Sequence, residues 1–465
     1  MAVSLMMSVT AKCDEADKWG LFETGLPVMF IETVGGELPT AEPAVPPEGM
    51  TPGAMTNRTI VKGRAYILDE NKDTIYDSGE YLESESGMTI RLRGNWSARK
   101  EKAPYKLKLE KKADLIDGNK QKADKNWVLK YDENMYPCVI PSLKINELIG
   151  LQWTPRYKWV HLVLNDSYRG LYQLIENVRR NPDCRIDVSK TGFIIEYDAY
   201  FWNEDVWIST PLNKIFKNIT FSVKYPDSDE ITESQIEYIS DYLAMVEQSF
   251  KDGNYSQYVD VESFARWLLG ADILGVKDCY GFNMFVTKYD DTPQSLIKMA
   301  NMWDYDTVLK TAGQWSTCHT FFYHRLMFMS PDQTFADTYI RIWEEEGHSV
   351  IDSTINYLRS YIDSPLGQSL ARSYDVDHKR WSYYSVDFKA YMESVISWFQ
   401  ERMAWMDIEI AKMKDPEKYS DDVKMIMQDT PAKEVQYYDM LGRRVDDISH
   451  KRVKYSRDGL RGIVF

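Results

Sequence analysis

The strongest constraint on the fold is a change of hydrophobic period near residue 230. Before it, runs such as "MTIRLRGNW" and "PYKLKLEKK" alternate apolar and polar residues, the two-residue period of a half-buried strand. "LPVMFIET", "NWVLKY", "YKWVHLVLN" and "LYQLIENV" read as further strands, the last two joined by "DSYRG". After it, "ITESQIEYISDYLAMVEQSFK" places Ile236, Ile239, Leu243 and Val246 on one helical face, behind a capping box of Thr232 and Gln235. "DVESFARWLLGADILGVK" is a second helix, with Asp260 at its N-cap and Phe264, Trp267, Leu268, Ala271 and Leu274 facing inward. A chain that separates the two periods in this way is expected to be α+β, with a β-rich first half and a helix-rich second half. One short helix, "VIPSLKINELIG", interrupts the strands, and the proline-rich "ELPTAEPAVPPEGMTPGAM" is expected to be an irregular insertion.

Composition narrows the function classes. With 465 residues, the chain suits a two-lobed domain of catalytic size with an appendage. A net charge of −15 repels phosphodiester backbones, so no nucleic-acid partner is expected. The five cysteines are scattered, without a C-x-x-C or a Cys/His cluster, which argues against structural zinc. No apolar run reaches the roughly 20 residues that span a bilayer. The start, "MAVSLMMSVTAKC", has the small and apolar character of an export-signal tail, with Cys13 as an expected lipid-bearing residue. The expected division is 1–19 as a signal-like or disordered N-terminus, 20–414 as the main domain, 415–433 as a linker and 434–465 as a short β tail.

The chemistry is carried by "DCYGFNMFVTKY" and "WDYD". In order they give a helix, Asp278, four residues, Asn283, a strand, a turn, a strand and Asp304. An Asp and an Asn at this spacing also occur in simple caps and turns. Followed by a hairpin and an acidic pair, they match the order in which protein kinases present a catalytic Asp, a metal-binding Asn and a second metal-binding Asp. The transferred phosphoryl group needs a hydroxyl whose proton has an acceptor, and the triphosphate needs a cation held by oxygen ligands.

These motifs, with "IRLRGNWSARKEKAPYKLKLEKK", "KNWVLK", "RGLYQLIENV", "GFIIEYD" and "KYPDSDEITESQ", resemble the CotH kinase family over roughly residues 26–414. The resemblance implies an atypical two-lobed protein-kinase-like fold. It also implies ATP with Mg²⁺ or Mn²⁺ as cofactors, and phosphoryl transfer to Ser or Thr of a secreted or surface protein. By position it makes Asp278 the catalytic base and Asn283, Asp304 and Asp306 the metal ligands. Lys108 or its neighbour Lys106 would contact the nucleotide phosphates; alternation is expected to leave one of them facing the site, and Lys108 is the residue chosen. Arg93 would add a fork of donors, and Glu176 would partner a lysine or the metal. Glu147 is the glutamate available if a lysine–glutamate pair is needed on the short helix.

No G-x-G-x-x-G is present, and the helix after "NWVLKY" is shorter than in relatives. A catalytically degenerate scaffold of the cell envelope is therefore the alternative reading. The C-terminal "EVQYYDMLGRRVDDISHKRVKYSRDGLRGIVF" resembles the export tails of Bacteroidetes-type bacteria. With the N-terminus, it implies an extracytoplasmic protein anchored to a membrane or cell surface.

Overall fold

The computed structural model describes residues 13–131, 137–213, 219–279, 281–320, 322–382 and 387–414, with three short strands beyond them. The alternating segments form β1 (Val28–Thr33), β2 (Glu42–Pro43), β3 (Met55–Thr56), β4 (Val61–Leu68), β5 (Thr74–Asp77) and β6 (Met88–Leu92). They continue as β7 (Tyr105–Ala113), β8 (Asp124–Lys130), β9 (Tyr157–Leu164) and β10 (Ser167–Glu176). Hydrogen bonding runs β1-β9-β10-β8-β7-β6-β4, and β4 pairs back onto β1. Seven strands therefore close into a barrel, with β5 added outside β4. Closure satisfies the edge amides that an open sheet would leave exposed. The alternation seen in the sequence becomes inside and outside: Leu107, Leu109, Trp127, Leu129, Leu162 and Leu174 are almost fully buried in one cluster.

Two local devices shape this barrel. Asn165 and Asp166 both have positive φ, 48° and 58°, which makes the two-residue link between β9 and β10 a tight hairpin turn. At Gly170, φ 109°, β10 bulges, and a Cβ there would stand 2.4 Å from Asp377 Oδ1 and 2.6 Å from Trp381 Nε1. The missing side chain admits a buried ion pair. Lys102 Nζ lies 2.7 Å from Asp377 Oδ2, with both side chains at most 5% exposed, and Leu171 N donates to Oδ1 at 2.7 Å.

The helices are α1 (Asp14–Lys18), α2 (Val139–Leu148), α3 (Glu233–Asp252), α4 (Val261–Leu274), α5 (Phe322–Met329) and α6 (Thr334–Ile342). After a π-helical turn at Trp343–Gly347 come α7 (His348–Asp363), α8 (Pro365–Arg380) and α9 (Phe388–Met413). Thr232 and Gln235 form the capping box of α3, and Asp260 caps α4 by accepting from Ser263 N.

The layout departs from the expected division in two ways. The β-rich part is a closed barrel, because β1 pairs on one edge with β4 and on the other with β9, far along the chain. A second sheet also stands among the helices, ordered β12-β13-β11-β14-β15: β11 (Phe193–Asp198), β12 (Trp207–Ile208), β13 (Thr220–Tyr225), β14 (Met284–Lys288) and β15 (Ile297–Met302). It shares one continuous core with α2 and the helices from α3 to α9. The proline-rich insertion is not wholly irregular, since Glu42 pairs with Thr56 and Pro43 with Met55.

Residues 1–12 and the expected linker lie outside the described residues. Cys13 is 8% exposed, packed with Phe22, Leu68 and Tyr168, so a lipid on its thiol would have to draw it out of that cluster. In the tail, β16 (Gln436–Asp439), β17 (Val453–Tyr455) and β18 (Arg461–Val464) form a small sheet with β18 in the middle. Among the described residues, no helix is long and apolar enough to cross a membrane.

Removing one partner of a buried pair leaves the other charge unsatisfied, so Asp377→Ala is expected to cost about 3–5 kcal/mol in urea unfolding. Lys102→Met/Asp377→Ala should cost clearly less than the sum of the two single changes.

Candidate functional site

Helix α4 ends at Gly275, whose φ of 61° turns the chain out of the helix. The next residues pass between two segments that fix them. Lys277 N donates to Thr307 O at 3.1 Å, Asp278 N to Thr307 Oγ1 at 3.0 Å, and Thr317 N to Val276 O at 3.0 Å. A disulfide joins Cys279, next to Asp278, to Cys318. Asn283 immediately precedes β14, and Asp304 lies just past the end of β15, so the open end of this hairpin presents both, where Met284 pairs with Met302. Both residues have left-handed backbones, φ 61° and 62°, a conformation Asn and Asp tolerate better than other side chains. Asn283 Nδ2 stands 3.4 Å from Asp278 Oδ2. The segment leading to Asp304 is fixed by Asn146 of α2, whose Oδ1 accepts from Met302 N at 2.9 Å, and by Tyr305 OH donating to Met302 O at 2.7 Å.

A cleft of ≈ 810 Å³ separates the barrel from this sheet. Six of the residues expected from sequence line it: Asp278, Asn283, Asp304, Asp306, Arg93 and Lys106. Lys108 does not. Lys106 and Lys108 are two apart and so project from the same face of β7, with Tyr105, Leu107 and Leu109 buried on the other. Position along the strand separates them: Lys106 reaches the cleft, whereas Lys108 lies farther along, opposite Thr89 and Asn126, and is exposed. Glu176 is also absent from the cleft lining. It is fully buried, accepting from Arg156 Nη2 at 2.8 Å and from Arg156 N at 2.9 Å, which fastens the end of β10. Glu147 lies on the exposed side of α2, paired with Lys144.

The two walls of the cleft carry opposite charge. The barrel side contributes Arg58, Arg91, Arg93 and Lys106. Burial, with Arg91, Arg179 and Arg93 nearby, pushes Lys106 down to about 8. Burial beside Arg91 and Arg93 likewise brings Arg58 down to about 10, and its guanidinium donates to Gly94 O at 2.7 Å within the "RGN" loop. The opposite side contributes Asp278, Asp304 and Asp306, together with Glu196, Asp198 and Glu204. Burial works to raise Asp304, but Lys130 and Arg93 outweigh it and hold the carboxyl below its ordinary value.

Three features of the site were not anticipated. Lys130, the last residue of β8, places Nζ 2.8 Å from Asp304 Oδ1. Lys224 sits among acids, 3.2 Å from both Glu196 and Glu204 and 3.8 Å from Asp198. Although burial pulls Lys224 down, those acids hold it above its ordinary value. Asp198 is pushed up to about 7 by burial and by Glu196, against the pull of Lys224. The available signals were "KNWVLK", "GFIIEYD" and "KYPDSD", in which Lys130, Asp198 and Lys224 stand at or next to the end of a strand. Nothing in the cysteine spacing pointed to the third feature, the disulfide.

Asp278, Asn283, Asp304 and Asp306 offer only hard oxygen donors to a cation. That set fits Mg²⁺, which binds through one or two carboxylates and substrate phosphates while keeping several waters. Among the described residues, no three acidic, His or Cys side chains are gathered closely enough to hold a metal by themselves.

A family model described as "CotH kinase protein" matches residues 90–406, about two thirds of the chain. The protein belongs to that family. No curated protein matches it. Among solved structures, the crystal structure of the Helicobacter pylori proinflammatory kinase CtkA is similar at 9% identity, covering 62% of this chain and 92% of that one, with a TM-score of 0.27.

Because Asp198 is raised in the folded state, its contribution favours the fold at low pH and is lost as pH rises from its ordinary value, near 4, through about 7. Asp198→Asn should remove that loss. Its stability relative to the parent, followed by thermal melts, should rise across this window.

Proposed function

We propose that the cleft binds a metal-bound nucleoside triphosphate, ATP in the first instance, and transfers its terminal phosphoryl group to a Ser or Thr hydroxyl of a protein. The observation that carries this reading is the pairing of a cationic barrel wall with a carboxylate wall across one cleft. The first suits polyphosphate and the second suits its cation and the attacking hydroxyl. Membership of the CotH kinase family supports it.

In this reading Lys106 and Arg93 contact the phosphates, joined by Arg91, while Asn283, Asp304 and Asp306 hold Mg²⁺ or Mn²⁺. The bound metal neutralises charge on the phosphate oxygens. Asp278 accepts the proton of the acceptor hydroxyl as its oxygen bonds to phosphorus and the nucleoside diphosphate leaves. Thr307 and the Cys279–Cys318 bond orient Asp278. Residues 20–414 form the catalytic domain, and the β tail serves export to an extracytoplasmic location.

One observation favours the second reading, a catalytically silent scaffold: Asp304 is already engaged by Lys130. Against a broad aromatic binding platform, Trp96 and Trp207 are the tryptophans that stand exposed among the described residues.

Labelled γ-phosphate transfer with Mg²⁺ or Mn²⁺ tests the reading. Asp304→Ala is expected to lose metal-dependent nucleotide binding, and Asp278→Asn to keep binding while transfer drops by at least about a hundredfold. Equal transfer by both variants and the parent would sink the assignment. Bound phosphate favours charged Lys106, so nucleotide affinity should fall as pH rises through about 8. Lys106→Arg, charged throughout that range, should flatten the profile in calorimetry.

A further inference from the structure

The ammonium of Lys130 deserves a role of its own. Lys130 is 3% exposed, yet its Nζ reaches across from the end of β8 to Asp304, which is only partly buried. Trp303 and Tyr305 flank the pair, with Lys130 Nζ 5.7 Å and 5.9 Å from their ring centres. Arg93 stands over Trp303 at 5.2 Å and adds a second positive charge near the same carboxylate. The left-handed backbone at Asp304 fixes the direction in which its carboxylate leaves the chain.

We propose that Lys130 is an internal competitor of the divalent cation at Asp304, holding Oδ1 until a metal takes its place. The inference rests on the reading of Asp304 as a metal ligand. Two cations cannot share one carboxylate oxygen at contact distance without strong mutual repulsion, which grows as water is excluded. A metal that binds Oδ1 must therefore displace the ammonium, and Lys130 shares the Trp303 ring with Arg93 of the cationic wall, so phosphate charge drawn to that wall would favour the released ammonium. Metal affinity is held down in the absence of nucleotide, and loading becomes dependent on a ligand that can receive the freed ammonium.

The test measures Mn²⁺ binding to the full chain by the loss of the free-ion paramagnetic resonance signal, with and without a non-hydrolysable ATP analogue. Lys130→Met and Lys130→Gln are compared with the parent, with Lys130→Arg as the charge-retaining control, and melting curves check folding. Without nucleotide, both neutral variants should bind Mn²⁺ about tenfold more tightly than the parent, and Lys130→Arg should stay within about threefold of it. The gain should vanish in Lys130→Met/Asp304→Ala. Equal or weaker Mn²⁺ binding by whichever neutral variant folds overturns the competition, while Asp304-dependent binding in the parent leaves the phosphotransfer reading standing. Binding indifferent to Asp304→Ala in every background overturns both.

Discussion

The buried carboxylate of Asp272, in the last turn of α4, holds together the elements that position the site. It is fully buried, and its oxygens accept from Ser316 N and Oγ, from His319 Nδ1 at 2.8 Å and from Tyr339 OH at 2.9 Å. Burial disfavours the charge, but His319 and Ser316 outweigh it and hold the carboxyl below its ordinary value. Its backbone carbonyl accepts from Arg402 of α9, which also donates to Ala312 O and Gln314 O. One residue thus gathers α4, α6, α9 and the 312–319 segment. Cys318 belongs to that segment and is bonded to Cys279, so the position of Asp278 is inherited from a network buried beneath it.

The cleft built on this support is costly to maintain. Positive φ at Asn283 and Asp304, several like charges on the barrel wall and a carboxyl raised to about 7 at Asp198 all work against folding. Structure elsewhere offsets them: the closed barrel, the continuous core under the second sheet, and the Lys102–Asp377 pair fastening β10 to α8. Strain and like charge are thus concentrated in the cleft, with conventional packing around it.

How much was legible in the sequence follows from distance along the chain. The hairpin carrying Asn283 and Asp304 was readable because its strands, turn and polar ends are contiguous, and the caps at Thr232 and Asp260 were readable for the same reason. Barrel closure was not, since Val28 pairs with His161 and no local pattern encodes that register. The choice between Lys106 and Lys108 failed because a period of two assigns a face but not a height on the strand, and the two lysines share a face. Glu176 was misplaced because Arg156, which claims it, lies on a different segment. Lys130 went unassigned because a lysine at the end of a strand looks the same whether it meets water or a carboxylate from far along the chain.

The barrel's pairing order also bears on how the chain is made. One edge of β1 finds β4 soon after both strands are synthesised, but its other edge belongs to β9, in parallel, and has no partner until residue 164 has emerged. Throughout that interval the nascent chain presents an apolar strand with an open edge, the kind of surface that pairs with neighbouring chains.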